Sequence, residues 1–207
     1  MKNIRARILF FIIGLIILSF GVSMTIKADL GAGAWDALNV GLSEITSLTV
    51  GNWVIIIGLL LMFINAMIIK ARPDFFALIT VFLIGFLIDF WLLIVMDSWE
   101  INGLFFKIMT LTIGIFILGL GVSLYLQPKF PLNPVDGLMV SLQMKFHLST
   151  GVAKTIGEAL AFILALLVGG PIGVGTFIIL FGIGPAIQLF EPTAKKIATQ
   201  LDQSFSA

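Results

Sequence analysis

The sequence predicts an all-α membrane protein: six transmembrane helices plus two short re-entrant or interfacial helices, built as two inverted-topology three-helix repeats. Three observations lead there. The 207 residues are 59% hydrophobic and only 11% charged, with a mean hydropathy of +1.16, which is more apolar side chain than one soluble core could hide. Apolar runs of roughly 20 residues, the length needed to cross the hydrocarbon layer, recur six times along the chain. Finally, the stretch 13–51 laid without a gap over 113–151 is identical at Ile13, Gly14, Ile17, Leu18, Gly21, Val22, Ser23, Asp36, Leu38, Val40, Leu42, Leu48 and Gly51. Those thirteen identities in thirty-nine positions mark a duplicated unit.

Taken in order, the chain opens on Lys2, Arg5 and Arg7 ahead of an apolar run over 8–26, which imitates a secretory signal. The run is longer than a signal core, and Lys27-Ala28-Asp29 makes a poor cleavage site, so a first span is predicted instead. The segment 34–46 follows; at 1.5 Å per residue it rises only about 20 Å, too short to cross. Spans over 50–69 and 75–96 come next, turned by Arg72-Pro73-Asp74. Asp97, Trp99 and Glu100 form the loop between halves, and the pattern then repeats: a span over 104–126, a short helix over 134–147, and spans over 152–168 and 172–190 turned by Gly169-Gly170-Pro171. Repeat 1 thus covers 1–98, repeat 2 covers 99–194, and 195–207 forms a cytoplasmic tail.

Orientation follows from the basic residues. With six spans, Lys2, Arg5, Arg7, Lys70, Arg72, Lys129, Lys145, Lys154, Lys195 and Lys196 lie on one side, which the positive-inside rule makes cytoplasmic, leaving Lys27 and Lys107 outside. Both termini are then cytoplasmic. Three spans per repeat is an odd number, so the second copy enters the bilayer from the opposite face, the arrangement of many secondary transporters.

Composition also excludes function classes. A net charge of +1 with scattered basic residues argues against nucleic acid. The lack of cysteine removes disulfides, thiolate nucleophiles and cysteine metal sites, and His147 alone cannot build a triad or a histidine metal centre. No catalytic residue, metal or cofactor is expected, and the chain is not expected to be an enzyme. No phosphate-binding Gly-x-x-x-x-Gly-Lys-Ser/Thr loop is present, so it cannot act as an ATPase by itself.

The candidate site residues are the polar groups placed among apolar segments. Asp36 and Asp136 occupy equivalent positions of the two short helices; they read either as first-turn acids that complement the helix dipole or as carboxylates facing a common cavity. Asn39 and Ser43 continue a polar stripe from Asp36, and Gln143 continues one from Asp136, with Met139 between. Asp89 and Glu158 are the acids inside predicted spans, where an ionisable group is costly and by default functional. Glu158 also lies four residues after Lys154, a helical ion-pair spacing. Asn65 and Asn52 read as interhelical glue, Gly14, Gly21, Gly114 and Gly121 as close-packing positions, and Asn133-Pro134 as a cap followed by a helix-starting proline.

The segments Lys27-Ala28-Asp29-Leu30-Gly31, Gly33-Ala34-Trp35-Asp36-Ala37-Leu38, Gly41-Leu42-Ser43 and Thr49-Val50-Gly51, with Pro134-Val135-Asp136-Gly137-Leu138 in the second half, carry a family likeness. The chain resembles the YczE/YyaS/YitT group of bacterial integral membrane proteins, most nearly the YczE type, from about 8 to 190. That resemblance implies a bacterial plasma-membrane location and a link to lipopeptide and polyketide production; it carries over no functional residue. The second half replaces Trp35-Asp36 by Val135-Asp136.

The expected function is transport of a small solute or metabolite by alternating access, coupled to an ion or a proton, with Asp36 and Asp136 lining the path and Asp89 assisting as proton acceptor. The alternative is a non-transporting scaffold or regulator of secondary-metabolite biosynthesis. Expected partners are the lipid bilayer, a small-molecule solute and further copies of the chain in a homo-oligomer.

Overall fold

In the computed structural model, which describes residues 3–204, every regular element among the described residues is helical. Lys2 and the last three residues of the expected tail lie outside that range. The elements are α1 (Ile4–Lys27), α2 (Ala34–Ile45), α3 (Val50–Ile69), α4 (Ala77–Phe90), α5 (Leu104–Tyr125), α6 (Pro134–Phe146), α7 (Thr150–Leu167) and α8 (Val174–Ser204). Six of them, counting α4 with its continuation to Val95, are long and apolar enough to cross a membrane. These match the predicted spans, and α2 and α6 match the predicted short helices. Large side chains such as Phe86, Phe181 and Leu167 are exposed on the outer faces, as a lipid solvent requires.

The boundaries have local causes. Thr49 and Ser149, equivalent residues one hundred positions apart, each accept a hydrogen bond from the backbone N–H three residues on, at 3.1 and 3.4 Å, and so start α3 and α7. Asn133 caps α6 in front of Pro134, its side chain accepting from Val135 N, as predicted. Lys70 and His147 close α3 and α6 in left-handed conformation. The exposure of His147 fits a residue at a helix end.

By backbone contact the described chain forms two units, and each takes segments from both halves of the sequence. The first gathers the chain up to Gly33, Phe90–Phe130 and the chain from Gly173, so it holds α1, α5 and α8. Here the predicted glycines act as a matched set. A Cβ on Gly14 would lie 2.5 Å from Tyr125 N, and one on Gly114 3.2 Å from Thr25 N. A Cβ on Gly21 would collide with Leu118 N, and one on Gly121 with Leu18 N. Each contact turns into its mate when the two residues exchange repeats, and the order of the pairs makes α1 and α5 antiparallel. Backbones this close gain dispersion in a solvent that supplies no hydrophobic drive between helices.

Two features of this unit depart from the sequence reading. After Phe90 the helix widens into a π-helical turn, Trp91–Val95, where Trp91 Nε1 donates to Ser19 Oγ at 3.1 Å and its ring meets Phe20 and Phe90 edge-on. Further on, α8 does not stop near residue 190 but continues through Pro185 and Pro192 to Ser204, 31 residues in all. At about 46 Å it is longer than the hydrocarbon layer is thick. Tertiary contacts override the two prolines: Ala194, Ala198 and Leu201 pack with Phe10 and Leu124, and Asn3 N donates to Asp202 Oδ1 at 2.7 Å; within the helix, Lys195 pairs with Glu191 at 2.6 Å.

The second unit gathers Ala34–Asp89 and Pro131–Ile172. In it α2 packs on α7 and α3 on α6, while α2 also meets α3 and α6 meets α7. These four helices therefore form a ring in which every short helix touches a span from each half. α4 lies against α3, with Gly58 facing Val81 and Gly51 facing Gly85.

The glycine contacts predict a sharp contrast in detergent. Gly121→Ala and Gly21→Ala should each lower the thermal midpoint or abolish folding, an overpacking cost of about 1–3 kcal/mol or more. Gly151→Ala, with nothing within 4 Å of the added Cβ, should leave the midpoint unchanged.

Candidate functional site

All seven side chains singled out in the sequence, Asp36, Asn39, Ser43, Asp89, Asp136, Gln143 and Glu158, fall in the second unit. Their surroundings differ. On α2, Ala37 and Gly41 take up the contact with the end of α7: a Cβ on Gly41 would lie 2.7 Å from Gly170 Cα and 2.8 Å from Val168 Cγ2. Asp36, Asn39 and Ser43, three or four residues apart, occupy the other side of the helix. Ser43 Oγ turns back to Val40 O at 2.7 Å and is used locally. Asn39 is only 5% exposed, and its Oδ1 has no hydrogen-bond partner among the described residues.

Glu158, partly buried on α7, stands in electrostatic range of Asp136 on α6 and of Lys154 one turn earlier on its own helix. Asp36 on α2 feels the Glu158 carboxylate in turn. The acids of the two short helices are thus connected through a third on α7. Burial pushes the Asp36 carboxyl up to about 7, with the neighbouring Glu158 charge adding to the shift. A group at that value exchanges its proton near neutral pH.

At the opening of α6, Asn65 of α3 donates from Nδ2 to Pro134 O at 2.8 Å, the interhelical bond expected of it. That bond also fixes the amide's orientation, since turning it would bring two oxygens together. The outward atom is therefore Oδ1, which is buried without a partner among the described residues. A Cβ on Gly137 would lie 2.8 Å from Asn65 Nδ2, so this amide sits against the turn that carries Asp136. Thr80 Oγ1 on α4 donates to Pro131 O at 3.1 Å and holds the same lead-in. Its role was not legible, because a threonine within an apolar span signals nothing by itself.

The structure does not bring the other two candidates to these acids by any hydrogen bond. Asp89 takes Thr49 Oγ1 on one carboxylate oxygen at 2.5 Å and Gly51 N on the other at 2.7 Å, fastening the start of α3. Gln143 Nε2 donates to Thr150 Oγ1 at 2.7 Å, bracing the junction of α6 and α7. Among the described residues no three His, Cys, Asp or Glu side chains stand close enough to hold a metal ion.

Against known proteins, the chain matches over residues 5–192 the model of a family of unknown function, DUF6198. It is 37% identical to the uncharacterized protein YyaS of Bacillus subtilis over 89% of this chain and 92% of that protein. It is 35% identical to the uncharacterized membrane protein YczE of the same organism over 82% of this chain and 78% of YczE. It is 29% identical to an uncharacterized protein of Haemophilus influenzae over 84% and 78%. No solved structure matches it.

Two measurements test the assignments of Asp89 and Asp36. Asp89→Ala leaves the buried Gly51 N–H without its acceptor and should cost about 1–3 kcal/mol in thermal unfolding, with Thr49→Val costing less. For Asp36 the sign follows from its raised pKa: between about 4 and 7 the folded state holds a proton that the unfolded state releases, so stability falls as pH rises through that window and levels above it. The midpoint difference between Asp36→Asn and the natural chain should grow in the variant's favour from pH 4 to 7.

Proposed function

The chain belongs to the DUF6198 family and to the YczE/YyaS group of membrane proteins, and from this premise we propose that it is a transporter of a small solute or metabolite and not an enzyme. It works by alternating access across the bacterial plasma membrane, both termini cytoplasmic, energised by an ion or proton gradient. The observation that carries this reading is the ring of α2, α3, α6 and α7, in which Asp36, Glu158 and Asp136 form one electrostatic series drawn from both halves of the chain.

The reciprocal, antiparallel glycine contacts of α1 and α5 support the inverted-repeat reading. Two interrupted elements of opposite entry, each bearing an acid, are the usual makings of a midplane site. A carboxyl that titrates near neutrality supports proton coupling, because it can be loaded on one side and discharged on the other. Asp36 suits that task better than Asp89, whose two oxygens are engaged by Thr49 and Gly51.

The test is uptake from a mixture of small metabolites into proteoliposomes carrying a proton gradient, read by mass spectrometry. We expect at least one solute to accumulate, Asp36→Asn and Asp136→Asn each to abolish its uptake, and Lys145→Ala with His147→Ala, at the end of α6, to leave it intact. No uptake of any solute by the natural chain, together with loss of the cellular phenotype from changes on the 134–147 surface with both acids in place, would favour a scaffold over transport.

A further inference from the structure

We propose that the ring of α2, α3, α6 and α7 binds a small organic cation carrying N–H donors, an alkylammonium or alkyldiammonium group, between Asp36, Glu158 and Asp136 with Asn39 and Asn65 as neutral acceptors. This rests on the transport reading for its purpose but not for its chemistry.

The acids alone would assign nothing. What points to a ligand is that the polar groups beside them lack donors. Asn39, 95% buried as the complement of its 5% exposure, lies on the acid-bearing side of α2 and has an unpartnered Oδ1. Asn65 Nδ2 faces the turn of Asp136 and donates to Pro134 O, which leaves the buried Oδ1 of the same amide unpartnered among the described residues. A buried acceptor left unpaired costs about 1–3 kcal/mol, and at both places the acceptor is an amide oxygen on a helix of the ring that carries the three acids. Such a setting disfavours an anion and leaves a neutral acceptor of hydrogen bonds nothing to bind. It favours a positive ligand that brings donors.

The size of the ligand follows from the spread of the acids. They act on one another electrostatically, yet no three stand close enough to hold a metal ion. An organic cation whose N–H groups and alkyl stem extend between helices matches that spacing better than a bare ion.

The experiment titrates the purified full-length chain in detergent with n-butylammonium, 1,4-butanediammonium and tetramethylammonium, read as the shift in thermal midpoint. The first two should give saturable stabilisation, while tetramethylammonium, with equal charge and no N–H, should bind at least tenfold more weakly. Asn39→Leu removes the orphan acceptor without leaving a cavity. Its ligand-free midpoint should hold or rise, and its affinity for butylammonium should fall about tenfold to a hundredfold, the worth of a hydrogen bond to a charged group.

Equal binding of tetramethylammonium, unchanged affinity in Asn39→Leu, or no saturable shift with any amine would overturn the proposal. Failure of the transport reading looks different. Amines that bind but are not moved in proteoliposomes would refute transport and keep the site, whereas Asp36-dependent uptake of an anion without amine binding would do the reverse.

Discussion

The close approach of α1 and α5 is the contact on which the rest of this structure depends. Two apolar helices in lipid gain nothing by hiding from their solvent, so they stay together only if their surfaces meet in many short contacts. Four glycines supply the room, each lying under a backbone atom of the opposite helix. The four contacts are pairwise equivalent under exchange of residues one hundred positions apart, and they set α1 and α5 antiparallel. The short helices then start from strictly equivalent points of the chain, just after α1 and α5.

The same economy explains why the contact units cut across the sequence. A short helix of a dozen residues cannot satisfy its surroundings alone, and here each is held by a span of its own half and a span of the other. Asn65 reaching to Pro134 O and Gly170 lying under Ala37 O are the local forms of that exchange. It brings Asp36 and Asp136, a hundred residues apart, into electrostatic range of Glu158. Where a fold groups partly buried carboxylates and leaves two buried amide oxygens without donors among the described residues, the reason is seldom structural.

Much of the fold was legible because lipid imposes simple arithmetic on length and hydropathy. The six spans, the two short helices, the cap at Asn133, the glycine spacing and the glue role of Asn65 all follow from single-residue chemistry in one dimension. What escaped needed the third. Pro192 reads as a stop, yet the packing of Ala194, Ala198 and Leu201 on Phe10 and Leu124 carries α8 on to Ser204. The π-helical turn after Phe90 answers to Ser19 and Phe20, seventy residues away in sequence. Of the site, the acids were visible and their grouping was not: Glu158 read as equally suited to pairing with Lys154, and Asp89, which looked as promising, turns both oxygens to the start of α3.

The proposed transport path requires two halves of opposite entry, each bringing an acid-bearing short helix to one interior. The absence of native cysteine allows that to be measured with single cysteines at 33 and 133 and a membrane-impermeant maleimide applied to sealed cells or inverted vesicles. Labelling of 33 only from outside and of 133 only from inside is the predicted result; labelling of both positions from one side would contradict it.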